Sequence, residues 1–315
     1  MNGNKAAAIM AEVKKAVIGK DDCVEKILMA ILGGGHVLMD DIPGVGKTTM
    51  ALAFSRSCSL EENLMQFTPD VMPSDITGFS IYRKDTSEFV YQPGPIMCNL
   101  FLADEINRTS PKTQSALLEV MEEGNVTVDG VTREVPKPFI VIATQNPAGS
   151  SGTQMLPDSQ LDRFMICTSM GYPDVEHEIE IIKNHNGQNP LENIVPVVNG
   201  EEILEMQAEV EQVFIHDVLY QYIAHLVAAT REHPMLQLGV SPRGTIALTR
   251  MAKASAYLNG RNYVVPSDVS DVFKDVVIHR IMMNAKARVN HVTADGIIEN
   301  ILESVPKPVP GKRQG

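Results

Sequence analysis

The chain of 315 residues is long enough for one large domain or two ordinary ones, and its 44% of apolar residues supply a sizeable core. Its formal net charge of −12 disfavours broad nucleic-acid binding, which usually requires a basic face. No run approaches the roughly 18 apolar residues of a membrane-spanning helix, and the short, polar opening segment does not resemble a secretion signal, so we expect no membrane insertion. The four scattered cysteines predict reduced thiols in a cytoplasmic protein.

Helical and strand-like patterns alternate through the first half of the chain. Residues 1 to about 32 look helical, with a break near residues 18–21. Five continuous apolar runs follow, at residues 37–39, 64–67, 100–103, 139–143 and 165–168. Such runs are typical of strands buried on both faces of a parallel sheet. Ser110 followed by Pro111 predicts a helix start between the third and fourth runs, because serine caps helices and proline suits their first position.

Two segments interrupt this alternation and predict hairpins. Residues 80–82 and 88–91, within a segment at about 77–95, can pair as short antiparallel strands. In the segment at about 126–135, apolar and polar residues alternate around Asp129-Gly130, a strong two-residue hairpin turn. Both segments are therefore expected to extend from the main sheet as separate two-stranded units.

The pattern changes after residue 172. Residues 173–304 give helical periodicity and few strand signals, and we expect them to form a second, all-helical domain after an α/β domain at residues 1–172. The tail at residues 305–315 is proline-rich and basic, which predicts disorder.

A glycine-rich segment joins the first apolar run to a helical pattern. It consists of Pro43, Gly44, Val45, Gly46, Lys47, Thr48 and Thr49. Glycines let successive backbone N–H groups converge on one anion, and a helix N-terminus adds partial positive charge. The order of strand, turn and helix predicts a phosphate-binding loop, in which Lys47 reaches the outer phosphates and the Thr48 hydroxyl binds Mg²⁺. Asp41 stands where the loop pattern has its first glycine, and aspartate tolerates unusual backbone angles better than most residues.

Polar residues end the third and fourth apolar runs. Beside a phosphate loop, Asp104 can hold Mg²⁺ through water, and Glu105 can polarise the water that attacks the terminal phosphate. Without that loop, solvated acids at a strand end would be the simpler interpretation. Asn146 suits a hydrogen bond to phosphate or to the attacking water, and equally a turn before Pro147. Arg108 suits an ion pair with either acid, which leaves its role open.

The order of these motifs resembles that of MoxR-type AAA+ ATPases. The resemblance covers about residues 15 to 300 and rests on the phosphate loop and on residues 66–70 (Gln-Phe-Thr-Pro-Asp), 73–78, 104–108 (Asp-Glu-Ile-Asn-Arg), 144–147, 161–164 and 241–243. It implies an α/β fold: a P-loop AAA+ core with a parallel five-stranded sheet, followed by a smaller all-helical lid domain, with ATP between them. It also implies a ring, usually a homohexamer. The two predicted hairpins resemble the helix-2 insert and the pre-sensor-1 hairpin of this clade.

The resemblance assigns roles to the residues of the phosphate loop and to the polar residues that end the third and fourth apolar runs. Lys47 and Thr48 match Walker A, so the loop would bind ATP with Mg²⁺. Asp104 and Glu105 match Walker B, as metal residue and catalytic base. Asn146 matches sensor 1.

Further roles come from the resemblance alone. Arg163 matches the arginine finger, which serves the ATP of the neighbouring subunit, and Arg243 matches sensor 2 at the start of a lid helix. Ile18 and Gly19 lie in a segment that resembles the lining of the adenine pocket. Without the resemblance, a salt bridge with Asp162 or another acid would be the simpler interpretation of Arg163, and solvation at a helix start that of Arg243.

The activity implied is Mg²⁺-dependent ATP hydrolysis that drives chaperone-like remodelling or maturation of partner complexes. The implied partners are a von Willebrand factor A domain protein and a client protein. Two alternatives stay open. One is a nucleic-acid translocating motor, since helicase-type rings share both hairpins, although the acidic balance and the mixed charges near the hairpin turns disfavour it. The other is the motor subunit of a metal chelatase, which would need a dedicated chelating partner.

Overall fold

A parallel sheet forms the centre of the structure, a computed structural model that describes residues 3–42, 44–145, 155–184 and 189–308. The strands are β1 (Val37–Asp40), β2 (Glu62–Gln66), β3 (Gly78–Arg83), β4 (Glu88–Pro93), β5 (Leu100–Asp104), β6 (Asn125–Val128), β7 (Val131–Glu134), β8 (Ile140–Gln145), β9 (Ile166–Thr168), β10 (Leu236–Leu238) and β11 (Met282–Met283). Five of them form the sheet in the order β2-β5-β8-β1-β9, and every neighbouring pair is parallel.

Helices cover the sheet and make up most of the second half of the described chain. They are α1 (Gly3–Ala16), α2 (Asp21–Leu32), α3 (Lys47–Ser57), α4 (Pro73–Thr77), α5 (Pro111–Glu123), α6 (Asp158–Leu161), α7 (Val175–Asn184), α8 (Gly200–Glu211), α9 (Asp217–Glu232), α10 (Pro242–Leu258), α11 (Pro266–Val277), α12 (Ala285–Val289) and α13 (Ala294–Ser304). Short 3₁₀ turns lie at Ile106–Arg108 and Pro190–Asn193.

Both faces of β5, β8, β1 and β9 are buried, as the apolar runs predicted, whereas β2 at the edge of the sheet is partly exposed and its Leu64 is 49% exposed. Side chains alternate along each strand, so Val37 and Met39 join one apolar cluster while Leu38 joins another on the opposite face. Leu102 belongs to the cluster of Val37 and Met39, and Phe101 belongs to the cluster of Leu38. All five predicted strands are present in the sheet, and β2 begins two residues earlier than its apolar run.

Helix boundaries follow local chemistry. The first predicted break is present, because α1 ends before Gly19, which has φ of +70° in the left-handed region that favours glycine. The Ser110 hydroxyl accepts a hydrogen bond from the Thr113 backbone N–H at 3.3 Å, and Pro111 opens α5. The predicted start of this helix is therefore confirmed.

Both predicted hairpins are present outside the main sheet. Strands β3 and β4 pair antiparallel, as do β6 and β7. At the second turn Asp129 and Gly130 both have positive φ, 52° and 75°, as a tight two-residue hairpin turn requires. The two hairpins are in contact, because the Arg133 guanidinium lies 3.9 Å from the centre of the Tyr91 ring.

The helices of residues 200–304 do not have a separate core. Leu226, Leu248 and Val272 belong to the same apolar cluster as Met39 and Ile166 of the sheet. This helical region also contains one short antiparallel pair, β10 with β11. Strands of three and two residues are too short to produce an alternation pattern, so no periodicity predicted them. The tail at residues 309–315 lies outside the described residues.

Candidate active site

The phosphate loop follows the carboxyl end of β1. Gly44 and Gly46 have φ of +83° and +98°, a conformation that side-chain-bearing residues rarely adopt. Gly46 precedes α3 and carries no side chain to cap it, so the first N–H groups of the helix face the loop without a side-chain acceptor. Lys47 is buried, and its Nζ donates to the carbonyl oxygen of Asp41 at 2.9 Å. Pro43 lies outside the described residues.

The structure explains why an aspartate, Asp41, stands where the loop pattern has its first glycine. Its carboxylate is buried and accepts hydrogen bonds from the backbone N–H groups of Met170 and Gly171, the latter at 3.2 Å to each oxygen. A buried carboxylate is stable only when it is hydrogen-bonded in this way. The residue that departs from the loop pattern therefore fastens the base of the loop to the segment that follows β9.

Two acids lie at the carboxyl end of β5, one sheet position from β8. The Thr144 hydroxyl of β8 donates to Asp104 Oδ1 at 2.6 Å and accepts from the Glu105 backbone N–H at 2.9 Å. Thr144 is fully buried. One hydroxyl therefore fixes the position of both acids. The sequence signal for Thr144 was a hydroxyl residue at the end of an otherwise apolar run.

Glu105 has an unusual backbone conformation, with φ of +56°, which is uncommon for a residue with a side chain. Its carboxylate pairs with Arg108, whose Nη1 lies 2.6 Å from Oε2. Arg108 Nε is buried and has no hydrogen-bond partner among the described residues. The sequence left Asp104 and Glu105 as possible ion-pair partners of Arg108, and in the structure the partner is Glu105. Asn146, the next residue in the chain after β8, lies outside the described residues.

A cavity of about 500 Å³ lies beside the phosphate loop. It is lined by Ile18, Val45, Thr49, Tyr172 and Ile181, among others. Lys20 Nζ donates to the Tyr172 carbonyl at 2.9 Å and so joins the two sides of the cavity. The size and the apolar lining suit a nucleotide base. Gly19 adjoins this region, where an added Cβ would lie 2.5 Å from the His177 ring.

Arg163 and Arg243 lie together, away from the phosphate loop. Arg163 Nη2 is 3.2 Å from Glu122 Oε2, and Arg243 Nη2 pairs with the other oxygen, Oε1. They line a cavity of about 270 Å³ with His36, which precedes β1. The Met165 N–H donates to the His36 carbonyl at 2.8 Å, so Arg163 also stands at the beginning of its strand.

The candidate residues thus lie in two groups, at opposite ends of the parallel strands. The phosphate loop, Asp104 and Glu105 follow the carboxyl ends of β1 and β5, whereas Arg163 precedes β9 and Arg243 adjoins it. A strand of four residues such as β1 spans about 13 Å. The arginines of one chain therefore do not face the phosphate loop of that chain.

The fold and the site together define a P-loop ATPase of the AAA+ class, with the phosphate loop and the paired acids at the carboxyl edge of a five-stranded parallel sheet. Comparisons with known proteins agree. Residues 36–166 match the family model described as ATPase family associated with various cellular activities (AAA), and residues 228–301 match the AAA lid domain.

Several relatives align along nearly the whole chain. YeaC of Bacillus subtilis is 47% identical, over 94% of this chain and 93% of its own. Chaperone MoxR1 of Mycobacterium tuberculosis is 38% identical, over 94% of this chain and 81% of its own. A crystal structure of a protein from Cytophaga hutchinsonii, classed as an ATPase, superimposes with a TM-score of 0.89 at 37% identity and covers 98% of this chain and 96% of that one. The chain belongs to the MoxR-type AAA+ ATPases. Among the described residues, no helix is both long and apolar enough to span a membrane.

Proposed function

We propose that this chain hydrolyses ATP with Mg²⁺ and uses the energy to remodel partner proteins, as a ring in which each active site is shared by two subunits. The observation that carries the proposal is the pair of acids held by Thr144 beside the phosphate loop. Lys47 and the N-terminus of α3 supply positive charge for the phosphates. The cavity beside Ile18 receives the base.

Each residue of the carboxyl edge has a chemical task. Lys47 leaves the Asp41 carbonyl and binds the outer phosphates. Glu105 accepts a proton from the attacking water. The oxygen of that water bonds to the γ-phosphorus while the bond between the γ-phosphorus and the bridging oxygen breaks. The Thr48 hydroxyl and the Asp104 carboxylate are oxygen groups of the kind that Mg²⁺ prefers, and the ion would neutralise charge on the phosphates. Asn146 is proposed to orient the water.

We assign both arginines to the neighbouring subunit's nucleotide. Arg163 and Arg243 meet at Glu122 on the edge opposite to their own phosphate loop. In a closed ring, the face that carries the arginines of one subunit meets the face that carries the phosphate loop of the next. The guanidinium groups then neutralise charge in the transition state.

The hairpins are the proposed contact with a partner. Phe89 at the end of the first hairpin is 74% exposed, and Phe79, Tyr82 and Val131 are also exposed. Exposed apolar groups on adjoining hairpins suit a protein partner better than a polyanion, and the net charge of −12 disfavours nucleic acid as well. Resemblance to MoxR chaperones supports a von Willebrand factor A domain protein and a client as the partners.

Subunit mixing tests the shared site. Glu105→Gln should bind ATP without turnover, Lys47→Ala should not bind it, and Arg163→Ala should bind it with turnover lowered by about 10³-fold or more. When Glu105→Gln and Arg163→Ala are mixed under conditions that exchange subunits, interfaces with an intact base and an intact finger should regain turnover. A mixture of Glu105→Gln and Lys47→Ala is the matched control, because neither chain has both the phosphate-binding lysine and the catalytic base that one hydrolytic site requires. If the first mixture stays inactive, the shared site is wrong.

A further inference from the structure

One carboxylate holds both candidate trans-acting arginines. Glu122 is the penultimate residue of α5. Its Oε2 lies 3.2 Å from Arg163 Nη2, and its Oε1 pairs with Arg243 Nη2. The arginines come from distant parts of the chain, one before β9 and the other in the first turn of α10. Glu122 is therefore the group at which the two guanidinium groups converge.

The backbones that carry the arginines are fixed to each other by a separate set of contacts. Ser241 Oγ donates to both carboxylate oxygens of Asp162, at 2.9 and 2.8 Å. Arg280 is buried, and its Nε donates to Asp162 Oδ1 at 2.8 Å. Asp162 adjoins Arg163, and Ser241 caps the helix that carries Arg243. The backbone position of each arginine is thus fixed by contacts that do not involve Glu122.

The ends of the two side chains are far less constrained. The side chains of Arg163 and Arg243 are 30% and 43% exposed, beside a cavity that Arg250 also lines. Arg163 Nε has no hydrogen-bond partner among the described residues. A guanidinium has five N–H donors, and each arginine gives Glu122 an Nη2, so donors remain for a second anion. Two cations facing one carboxylate leave an excess positive charge at this place.

Helix stability does not explain an acid at this position. The C-terminus of a helix carries partial negative charge, which disfavours a carboxylate in the last turn. The position instead lies close to the catalytic apparatus in the chain, since α5 follows Glu105 and leads into the second hairpin. Without a carboxylate between them, the two guanidinium groups would repel each other and turn apart.

We propose that Glu122 is a positioning residue of the shared active site. It holds Arg163 and Arg243 side by side through one edge of each guanidinium, so that their other N–H groups meet the same terminal phosphate of the neighbouring subunit's ATP. The proposal rests on the proposed function, in which both arginines serve that nucleotide. Glu122 becomes the third functional residue of the face that carries the arginines, and it acts by fixing the geometry of Arg163 and Arg243.

The first experiment removes the charge and keeps the shape. Glu122→Gln in the full chain should lower kcat by about 10- to 100-fold, because misplaced catalytic groups cost rates of this order. The Kd for ATP should stay within about twofold, because the chain's own phosphate loop is untouched, and the thermal midpoint should change little, because exposed ion pairs contribute little stability. Glu122→Asp should restore part of the rate. Glu123→Gln, an exposed neighbour in no ion pair among the described residues, is the matched control with an unchanged rate. An unchanged or raised kcat in Glu122→Gln would overturn the proposal.

The second experiment separates positioning of the arginines from a general structural role. Mixed with Glu105→Gln, the Glu122→Gln chain should regain turnover, because its intact base meets an intact arginine face. Mixed with Arg163→Ala it should not, because every arginine face in that ring is defective. If Glu105→Gln is rescued by Arg163→Ala but not by Glu122→Gln, the role of Glu122 fails and the shared site stands. If Arg163→Ala gives no rescue either, the shared site itself fails.

Discussion

The hydroxyl of Thr144 shows how a single atom can orient two catalytic acids. The Glu105 backbone N–H can only donate, so the hydroxyl oxygen must accept there. Its one proton is then directed to Asp104 Oδ1, which accepts the hydrogen bond. The hydrogen-bond pattern therefore fixes the orientation of the carboxylate that is proposed to hold Mg²⁺, and it restrains the unusual backbone of Glu105.

Thr144→Val is the residue-scale test of this arrangement. The substitution keeps the shape but leaves the Glu105 N–H and an Asp104 oxygen without their partner, which costs about 1–3 kcal/mol of stability. We expect kcat to fall by about 10- to 100-fold with little change in the Kd for ATP, since the phosphate loop is intact. Thr144→Ser keeps the hydroxyl and should retain most of the rate. Equal turnover in the valine and wild-type chains would show that Thr144 is not needed to position the acids.

From the sequence alone, a role could be predicted for the residues whose neighbours along the chain indicate their chemistry. Lys47, Asp104 and Glu105 each follow an apolar strand, where phosphate and metal ligands are expected in parallel sheets. The roles of Thr144 and Glu122 depend on groups that pairing and packing bring from elsewhere, and neither a hydroxyl at the end of an apolar run nor an acid near a helix end indicates which groups it will contact. For the same reason Arg163 and Arg243 were assigned to a nucleotide from the resemblance, while their common location emerged only from the fold.

At the scale of elements, the two hairpins form a joined unit. Arg133 of β7 lies over Tyr91 of β4, and the Tyr91 hydroxyl donates to the Thr77 carbonyl at 2.5 Å. The second hairpin lies between α5, which follows the acids, and β8, which carries Thr144. Movement at the active site can therefore reach both hairpins, and by reciprocity a partner bound to them can influence hydrolysis.

Shortening residues 127–132 tests this coupling. The Kd for ATP should stay near that of the wild type because the phosphate loop is distant in the chain. Stimulation of turnover by a protein captured on the Glu105→Gln chain should be lost. Asp129→Asn keeps a residue that favours the tight turn and should keep the stimulation. Undiminished stimulation after shortening would make the hairpin a passive connector.

Elements with strong local signals were predicted with small errors in their ends. The apolar runs fixed the sheet strands, and the Asp129-Gly130 turn fixed the second hairpin. The pair of β10 with β11 was missed because its strands lie far apart in the chain and form through packing of the helices around them. Tertiary contacts, rather than intrinsic preference, decide such short strands.

At the scale of the whole molecule, two partly buried histidines should make stability depend on pH. The His36 Nε2 donates to the Met121 carbonyl and its Nδ1 accepts from the Val141 N–H, each at 3.0 Å, so the neutral ring is fully hydrogen-bonded. Burial lowers the pKa of His36 from 6.5 to about 4. Burial, with help from the Arg280 charge, also lowers the pKa of His279 well below its usual range. Both groups bind a proton more readily in the unfolded chain.

Stability should therefore fall as the pH drops from about 6.5 to about 4, the interval in which only the unfolded chain protonates His36. For a shift of this size the loss is on the order of 3 kcal/mol. Urea midpoints measured across this interval should show a shallower pH dependence for His36→Gln, which does not titrate, than for the wild type. The exposed His225 provides the control, and His225→Gln should leave the slope unchanged. Equal slopes for His36→Gln and the wild type would contradict the assignment.

The apolar cluster that runs from the sheet into the helices of residues 200–304 has a consequence for how the chain can be divided. Cutting near residue 172 would expose to water the apolar surface of α2 and β9 that α8, α10 and α11 cover. We therefore expect the nucleotide-binding half and the lid to unfold as one cooperative unit rather than as two modules joined by a hinge. Nucleotide bound at the phosphate loop then stabilises helices that never touch it, so protease resistance of α9 and α10 would report occupancy of a site on another part of the molecule.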